Sequence, residues 1–535
     1  MQSPDPGPSD PGTSGPGSSG PATPPPTAPQ TAPPASPRRT DPPRRTSSLS
    51  RRRIGLVLGA ALFAGMLWIG PPAGMERTAW QVAALTGLMA LWWVTEALPI
   101  AATALLPVAL LPVMGAASLH EAAAPYANPL IFLFLGGFLI AEAIQRWNLH
   151  QRIALVILGL AGQRPDRLVG GFMLAAAGLS MWVSNTATAA LMLPIGLSVL
   201  RMVESDRDAP SDHSGTNSGH HTGAALMLGI AFGANIGGMA TLIGSPPNAL
   251  LAAFMADRWG LEVGFLDWMA VALPVALVLL VAAWWVLCRA AFRVPRQGVA
   301  GIGALIASRR AALGPMRQAE AGVAVVFVAV ALAWVFRPAL DAALPGIALS
   351  DPAIAMIGAL VLFLLPAGGG SGRALLTWED TARLPWGVLV LVGGGLSLGE
   401  AIGTSGLAAD LSGAMAGLAA WPGWLLVVAV AAGAMTLSHV TSNTATAATL
   451  IPLASALAVT LDMAPLMLTL PVALAASCAF MLPVATPPNA IVFASGHLSV
   501  PEMARAGWRL SAVALVLIAA AVVGMGAWGL LPAGG

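Results

Sequence analysis

The chain is poor in charged residues, and this scarcity excludes a soluble globular domain. Only 9% of its 535 residues are charged, whereas 56% are hydrophobic. Soluble domains carry about 25% charged residues, so most of this chain must be solvated by lipid. Lysine is absent, and the two cysteines, Cys288 and Cys478, have no paired spacing. We therefore expect a polytopic all-α membrane protein with neither a disulfide framework nor a cysteine metal site.

The first 53 residues lack long apolar runs and are rich in Pro, Ser, Thr and Gly. Such a composition predicts a disordered tail. The first apolar run begins at Ile54, directly after three arginines, and is predicted to be an uncleaved membrane helix. Further apolar segments lie at 78–98, 101–115, 129–147, 168–202, 222–256, 263–290, 320–345, 352–366, 385–402, 420–461, 463–496 and 506–531.

Two of these segments each contain a short polar island. Ser184-Asn185-Thr186 lies within 168–202, and Ser442-Asn443-Thr444 lies within 420–461. One straight crossing needs only about 20 residues, so both segments are too long for one. Unpaired hydroxyls and amides are costly in apolar surroundings. Both observations predict helical hairpins that dip into the membrane, with their polar tips facing each other across a bound solute.

The islands belong to an internal repeat. They are 258 residues apart (442 minus 184), and Glu142 and Glu400 share that spacing. Downstream, Ser245-Pro246-Pro247-Asn248 matches Thr486-Pro487-Pro488-Asn489 at a spacing of 241 (486 minus 245). The polar loop 203–221 largely accounts for the difference. An odd number of predicted crossings separates equivalent points, which makes the repeat inverted, as in secondary transporters.

The Pro-Pro pairs predict a second kind of break, within segments 222–256 and 463–496, because proline removes a backbone donor and bars regular helix. A broken helix exposes carbonyls suited to Na⁺ and N–H groups suited to an oxyanion. Neither segment contains Arg, Asp or Glu. An anion bound there would lack a cationic side chain, so co-bound cations would have to offset its desolvation.

The arginines favour one orientation of the chain. We assume eleven crossings plus two re-entrant hairpins, with a cytoplasmic amino terminus. Only Arg77, Arg258 and Arg337 then lie outside, which leaves 23 of the 26 basic residues inside (26 minus 3). This asymmetry is the positive-inside pattern.

These paired motifs resemble the divalent anion:sodium symporter family, which includes dicarboxylate, tricarboxylate and sulfate transporters. The resemblance covers nearly all of residues 54–531. It implies an elevator-type homodimer in the cytoplasmic membrane, with no organic cofactor and no nucleic-acid partner. The implied parts are a tail at 1–53, a scaffold at 54–166 and 318–418, a transport part at 167–290 and 419–535, and a cytoplasmic linker at 291–317.

The resemblance also implies the residues of the sites. The substrate carboxylates would be held by Asn185, Thr186, Ser245, Pro246, Asn443, Thr444, Thr486 and Pro487. One sodium ion would be bound by Ser180, Ser184, Asn185 and Gly244. A second, pseudo-symmetric sodium ion would be bound by Ser438, Ser442, Asn443 and Ala485.

The leading interpretation is sodium-coupled symport of a C4-dicarboxylate such as succinate, malate or fumarate. A sulfate or citrate symporter and a sodium-independent dicarboxylate exchanger are the alternatives within the family. An intramembrane enzyme with Ser184 or Ser442 as nucleophile would need a base, and only His439 is near. A channel is disfavoured because no charged ring suggests a filter. We expect structural roles for Glu142, Glu400 and His439.

Overall fold

The computed structural model describes residues 46–205, 216–299, 301–346, 349–369 and 372–531. These ranges are mainly helical, and the only β pairing within them is an isolated bridge between Pro366 and Ala374. The predicted all-α class is thus confirmed. The predicted tail lies almost entirely outside the described residues. From Ser48 onwards, the described residues form one compact unit.

The first half of this compact unit contains twelve helices. Seven precede the first polar island: α1 Thr46–Ile69, α2 Arg77–Thr95, α3 Ile100–Thr103, α4 Leu106–Met114, α5 Leu119–Ala123, α6 Pro129–Arg146 and α7 Leu149–Ala161. Five carry or follow it: α8 Pro165–Ser180, α9 Asn185–Ser205, α10 Thr216–Met239, α11 Pro246–Trp259 and α12 Phe265–Trp285.

The second half repeats this order after a connecting helix, α13 Ile302–Ala312. Five helices precede the second island: α14 Gln318–Val335, α15 Arg337–Ala343, α16 Asp351–Leu364, α17 Trp386–Thr404 and α18 Leu407–Met415. Five carry or follow it: α19 Gly423–Ser438, α20 Asn443–Thr460, α21 Pro465–Ala476, α22 Pro487–Phe493 and α23 Val500–Ala527.

Nine helical segments within the described ranges are long and apolar enough to cross a membrane. Five further apolar helical segments there are shorter, and α19 and α21 are among them. The most apolar stretch of α10 is completely buried inside the protein, whereas that of α1 is almost entirely exposed. The first broken helix therefore lies at the centre of the molecule, and α1 lies at its periphery.

All four predicted helix breaks are present. The first hairpin breaks between Ser180 and Asn185, and the second between Ser438 and Asn443. The other two breaks end where α11 and α22 begin, at Pro246 and Pro487. Proline suits the first position of a helix because its missing N–H would be unpaired there in any case. Each Pro-Pro pair therefore starts a new helix after its break.

Two glycines spaced by the repeat interval make equivalent close contacts. Gly136 on α6 lies against α16, where an added Cβ would be 2.6 Å from the carbonyl carbon of Ala355. Gly394 on α17 lies against the end of α3, where an added Cβ would be 2.7 Å from the Cβ atom of Ala104. In each case one half of the chain packs on the other. This reciprocal packing is what a two-fold relation between the halves produces.

Four short α-helices lie outside the apolar segments predicted from the sequence: α5, α7, α13 and α18. They are shorter than a membrane crossing, and the two buried residues of α13, Ile302 and Ile306, lie one turn apart on the same face. Helix α10 also begins at Thr216, inside the stretch predicted as a polar loop at 203–221. His220 therefore lies in a helix, where its Nε2 is 2.7 Å from a carboxylate oxygen of Glu502.

Candidate functional site

The same hydrogen bond closes both hairpin tips. The Ser180 hydroxyl donates to Oδ1 of Asn185 at 2.5 Å, and the Ser438 hydroxyl donates to Oδ1 of Asn443 at 2.8 Å. Both serines are completely buried. The serine ends one half-helix and the asparagine begins the next, so this bond holds the two arms of each hairpin together.

The island serines start the outgoing arms of the hairpins. Oγ of Ser184 accepts from the Ala187 N–H at 3.3 Å, and Oγ of Ser442 accepts from the Ala445 N–H at 3.1 Å. Such side-chain caps satisfy one of the backbone donors left free at a helix start. The remaining free donors give each tip a partial positive charge, which suits an anion.

Two asparagines that follow the Pro-Pro pairs satisfy the carbonyls freed by the breaks. Nδ2 of Asn248 donates to the carbonyls of Gly238 at 3.0 Å and Thr241 at 2.7 Å. Nδ2 of Asn489 donates to the carbonyls of Ala479 at 3.0 Å and Leu482 at 3.1 Å. The acceptors lie ten and seven residues before the asparagine in both repeats. Asn248 and Asn489 belong to the repeated Pro-Pro-Asn motifs but were not among the predicted site residues.

Oxygen atoms of the first hairpin and the first broken helix converge beside Gly244. A Cβ at Gly244 would lie 2.6 Å from the Gly238 carbonyl oxygen and 3.0 Å from the Ser180 carbonyl oxygen. A Cβ at Gly238 would overlap the amide group of Asn185. Both positions thus require glycine. Ser180, Asn185 and Gly244, three of the four residues predicted for one sodium ion, are brought together here.

Thr241 adds a further oxygen to this cluster. Its hydroxyl donates to the Met181 carbonyl at 2.5 Å and accepts from the Gly244 N–H at 3.1 Å. The fourth predicted residue, Ser184, is exposed at the tip and contributes its hydroxyl to the helix cap. Thr241 and Gly238 were not predicted, because they lie in the apolar part of segment 222–256 outside the Ser245-Pro246-Pro247-Asn248 motif.

The pseudo-symmetric cluster is built differently. Besides its bond to Asn443, the Ser438 hydroxyl lies 2.6 Å from the Ala476 carbonyl oxygen at the end of α21. Ala485, which stands where Gly244 stands in the first repeat, is buried and donates its N–H to the Leu482 carbonyl at 3.2 Å. Ser442 acts as the helix cap, as Ser184 does.

Hydrogen bonds connect the two repeats behind the predicted substrate residues. Nδ2 of Asn235 on α10 is 3.1 Å from Oγ1 of Thr486 and 3.3 Å from Oδ1 of Asn489. The hydroxyls of Ser245 and Ser477 are 3.4 Å apart. A residue of each repeat thus contacts the break of the other. Asn235 was not predicted, although a lone amide in an uncharged apolar helix is the signal that identified the islands.

Two amide oxygens in this region have no donor. Oδ1 of Asn235 and Oδ1 of Asn248 are completely buried and have no hydrogen-bond partner among the described residues. A buried acceptor without a donor costs about 1–3 kcal/mol. Hard cations take oxygen ligands of this kind, so these donor sets fit a sodium ion.

Exposure divides the predicted substrate residues into two groups. Ser245 and Thr486 are buried. The others are half-buried or exposed: Asn185, Thr186, Pro246, Asn443, Thr444 and Pro487. Behind the tips, the hydrogen bond between Asn235 and Thr486 links the two repeats.

The first hairpin tip also packs on aromatic side chains. The ring centroid of Trp182 is 4.9 Å from that of Phe327, in an edge-to-face contact. It is 5.9 Å from the ring centroid of Phe265, on which Trp182 stacks. Phe265 stacks on Trp334 at 4.4 Å. Phe327 and Trp334 belong to α14, so the tip contacts a helix assigned from the sequence to the scaffold.

A buried carboxylate anchors the start of the first hairpin. Asp166 is 2% exposed and accepts hydrogen bonds from Arg164 at 2.8 Å and Arg289 at 2.9 Å. Burial by itself raises its pKa, but these charged hydrogen bonds outweigh burial and hold the pKa of Asp166 below its ordinary value. Asp166 therefore ties α8 to the segment that follows α12 through ion pairs.

The fold and the site together define a secondary transporter, in which two duplicated halves bring broken helices and polar breaks to the centre of a membrane protein. The chain belongs to the family described as "Sodium:sulfate symporter transmembrane region", which matches residues 50–532. The resemblance to the divalent anion:sodium symporters is thus confirmed.

Similar proteins include the "Sodium-dependent dicarboxylate transporter SdcS" of Staphylococcus aureus strains USA300 and NCTC 8325. Each is 39% identical over 467 residues, which is 87% of this chain and 89% of the relative. A crystal structure of the Alcanivorax borkumensis YdaH transporter has a TM-score of 0.55 at 13% identity, covering 90% of this chain and 98% of the other. That likeness concerns the fold alone.

Proposed function

We propose that this protein is a symporter that couples the movement of a C4-dicarboxylate, such as succinate, malate or fumarate, to that of sodium ions. The chemistry of the site supports this proposal. The four breaks contain no arginine or carboxylate side chain. A dianion held only by helix N-termini and neutral amides needs positive charge from another source, and bound Na⁺ supplies it.

The observation that carries the proposal is the cluster of oxygens beside Gly244. Carbonyl oxygens of Ser180 and Gly238 converge there with the amide group of Asn185. Asn185 also belongs to the island whose exposed face is assigned to the substrate. One amide thus stands between the sodium cluster and the carboxylate site, so an ion bound there would favour anion binding directly.

We assign the sodium ions to two pseudo-symmetric sets. The first is Ser180, Ser184, Asn185 and Gly244, joined by Gly238 and Thr241; the second is Ser438, Ser442, Asn443 and Ala485. We assign the substrate carboxylates to Asn185, Thr186, Ser245, Pro246, Asn443, Thr444, Thr486 and Pro487. The name of the SdcS relatives, sodium-dependent dicarboxylate transporter, supports sodium and a dicarboxylate as the ligands of these two kinds of site.

We further propose that residues 167–290 and 419–535 move as one transport part against a scaffold of residues 54–166 and 318–418. In this scheme two copies of the chain associate through their scaffolds, and the amino terminus lies in the cytoplasm. Movement of the transport part would slide the Trp182 tip along α14, so the aromatic contacts with Phe327 and Trp334 would have to break. The hydrogen bonds between Asn235 and Thr486, which lie within the transport part, would persist.

Replacement of the island asparagines tests the site. Asn185→Ala and Asn443→Ala should each abolish sodium-driven succinate uptake. Neither change should alter insertion into the membrane or the mass of the purified protein assembly. A hydrogen bond to a charged group is worth about 1.5–3 kcal/mol, and each asparagine would serve both ion and substrate. Ser308→Ala, which removes an exposed hydroxyl that donates within its own helix, is the control. Normal uptake by both asparagine variants would refute the assignment.

A further inference from the structure

A cavity outside the transport site is lined by arginines. It has a volume of about 330 Å³ and lies where α6 ends and α7 begins, beside the end of α13 and the start of α14. Arg146, Arg152 and Arg317 line it, together with one carboxylate, Glu320. None of these residues belongs to the proposed substrate or sodium sets.

Two of the three arginines have carboxylate partners. Arg152 forms an ion pair with Glu320, and Nη2 is 3.0 Å from Oε2 of that residue. Its guanidinium also donates to the Gly314 carbonyl at 3.2 Å. Arg146 forms an ion pair with Asp380, which lies outside the cavity lining. These two side chains are therefore held in place in the cavity wall.

Arg317 has no such partner. It is exposed, immediately precedes α14, and forms no ion pair or hydrogen bond with another described side chain. The carboxylates of Glu320 and Asp380 offset two of the three arginine charges, which leaves a net charge of +1 at the cavity (3 minus 2). The starts of α7 and α14 add partial positive charge and the ends of α6 and α13 add partial negative charge, so the helix ends contribute little net charge and the arginine remains the main attraction for an anion.

We propose that this cavity binds a phosphate-bearing anion, with Arg317 as the residue that engages it. A guanidinium presents two parallel N–H donors that match phosphate oxygens, and an unpaired arginine keeps those donors free. The headgroup of an anionic phospholipid and inorganic phosphate share this chemistry. Basic pockets at the ends of membrane helices hold anionic headgroups in this way.

The test is anion binding to the purified full-length chain in detergent. Native mass spectrometry measures the apparent Kd for phosphatidylglycerol and for zwitterionic phosphatidylcholine, and calorimetry measures inorganic phosphate at constant ionic strength. Phosphatidylglycerol should bind at least tenfold more tightly than phosphatidylcholine if the site holds a lipid headgroup. Binding of inorganic phosphate as well would identify a soluble anion as a second source of the same chemistry.

Substitutions locate the binding. Arg317→Gln should weaken anion binding about tenfold, because glutamine lacks both the charge and the pair of parallel N–H donors that match phosphate oxygens. Arg317→Lys should retain most of the affinity. Arg310→Gln is the matched control, since Arg310 is exposed near the end of α13 and outside the cavity.

Equal losses in Arg317→Gln and Arg310→Gln would overturn the proposal, because they would indicate general surface electrostatics. So would wild-type protein that binds neither anion, or that binds both lipids equally well and does not bind inorganic phosphate. The comparison of the two lipids needs only the wild-type chain, so the proposal stays falsifiable if a variant fails to fold. Because the readout is binding, it is independent of whether the chain transports dicarboxylate.

Discussion

The amide nitrogen of Asn235 lies 3.1 Å from the hydroxyl oxygen of Thr486, a residue 251 positions away in the other repeat. The same nitrogen is 3.3 Å from Oδ1 of Asn489, whose own amide satisfies the carbonyls of the second break. Asn235, on the first broken helix, thus contacts both Thr486, which caps α22, and Asn489, which donates to the carbonyls of the second break. The repeat equivalent of Asn235 is Ala476 (235 plus 241), so this link is present on one side only.

Asn235→Ala should raise the half-saturating succinate concentration about tenfold. The change removes the donor to Thr486 Oγ1 and Asn489 Oδ1, and an unsatisfied buried acceptor costs about 1–3 kcal/mol. Initial rates of uptake over a range of succinate concentrations measure the effect. Thr469→Ala is the control, because the Thr469 hydroxyl is buried on α21 but bonds only within that helix. An unchanged succinate affinity in Asn235→Ala would show that Thr486 does not need this contact.

Gly244→Ala should raise the sodium concentration needed for half-maximal uptake. The new Cβ would lie 2.6 Å from the Gly238 carbonyl oxygen and 3.0 Å from that of Ser180, so the oxygen cluster would have to open. Ala485→Gly is the matched control, since the second repeat already has alanine at the equivalent position. Sodium titrations of uptake compare the two. A larger sodium effect in Ala485→Gly than in Gly244→Ala would contradict our assignment of the first site.

Asn248→Ala and Asn489→Ala should each lower the free energy of unfolding by about 1–3 kcal/mol. Both changes leave two buried backbone carbonyls without their side-chain donor. Melting temperatures of the purified protein in detergent measure the loss. Thr86→Ala, which removes a hydroxyl that donates to its own helix, should change the melting temperature little. Wild-type melting in both asparagine variants would mean that the freed carbonyls find other donors.

Asp166→Asn should lower the free energy of unfolding at neutral pH, and this loss should become smaller as the pH falls. The folded-state pKa of Asp166 is below its ordinary value, so its ion pairs stabilise the protein above the unfolded-state pKa of about 3.9. That contribution is lost as the pH falls through the lower, folded-state pKa. Melting curves from about pH 7 to pH 3 measure this loss. Asp341→Asn, at an exposed position, is the matched control. A loss of stability in Asp166→Asn that is the same at every pH would exclude the linkage.

The structural features that occur in both repeats could be predicted from the sequence. The islands around Asn185 and Asn443 and the Pro-Pro pairs predicted all four helix breaks, because proline and unpaired polar groups have strong local consequences in an apolar segment. Helices α5, α7, α13 and α18 were not predicted, since they are too short to be recognised by a criterion of about 20 apolar residues. Segment lengths alone do not distinguish a short interfacial helix from a loop.

The contacts of the site depended on distant parts of the chain. The family resemblance implied that Ser180, Asn185 and Gly244 share a site, but the reason that Gly238 must be glycine is the approach of Asn185, which only the packed structure reveals. The pairing of Asn235 with Thr486 joins residues 251 positions apart, and no local pattern encodes such a pair. The sequence thus indicated which segments form the site, whereas packing determined which atoms meet there.

The most direct test of the central claim is succinate uptake by the purified chain in proteoliposomes, with and without an inward sodium gradient. Internal succinate is the second variable. Our account predicts uptake that requires external Na⁺ and proceeds without internal succinate. Uptake that ignores Na⁺ and requires internal succinate would contradict it, because the oxygen cluster beside Gly244 would then have no role in coupling and the protein would be an exchanger.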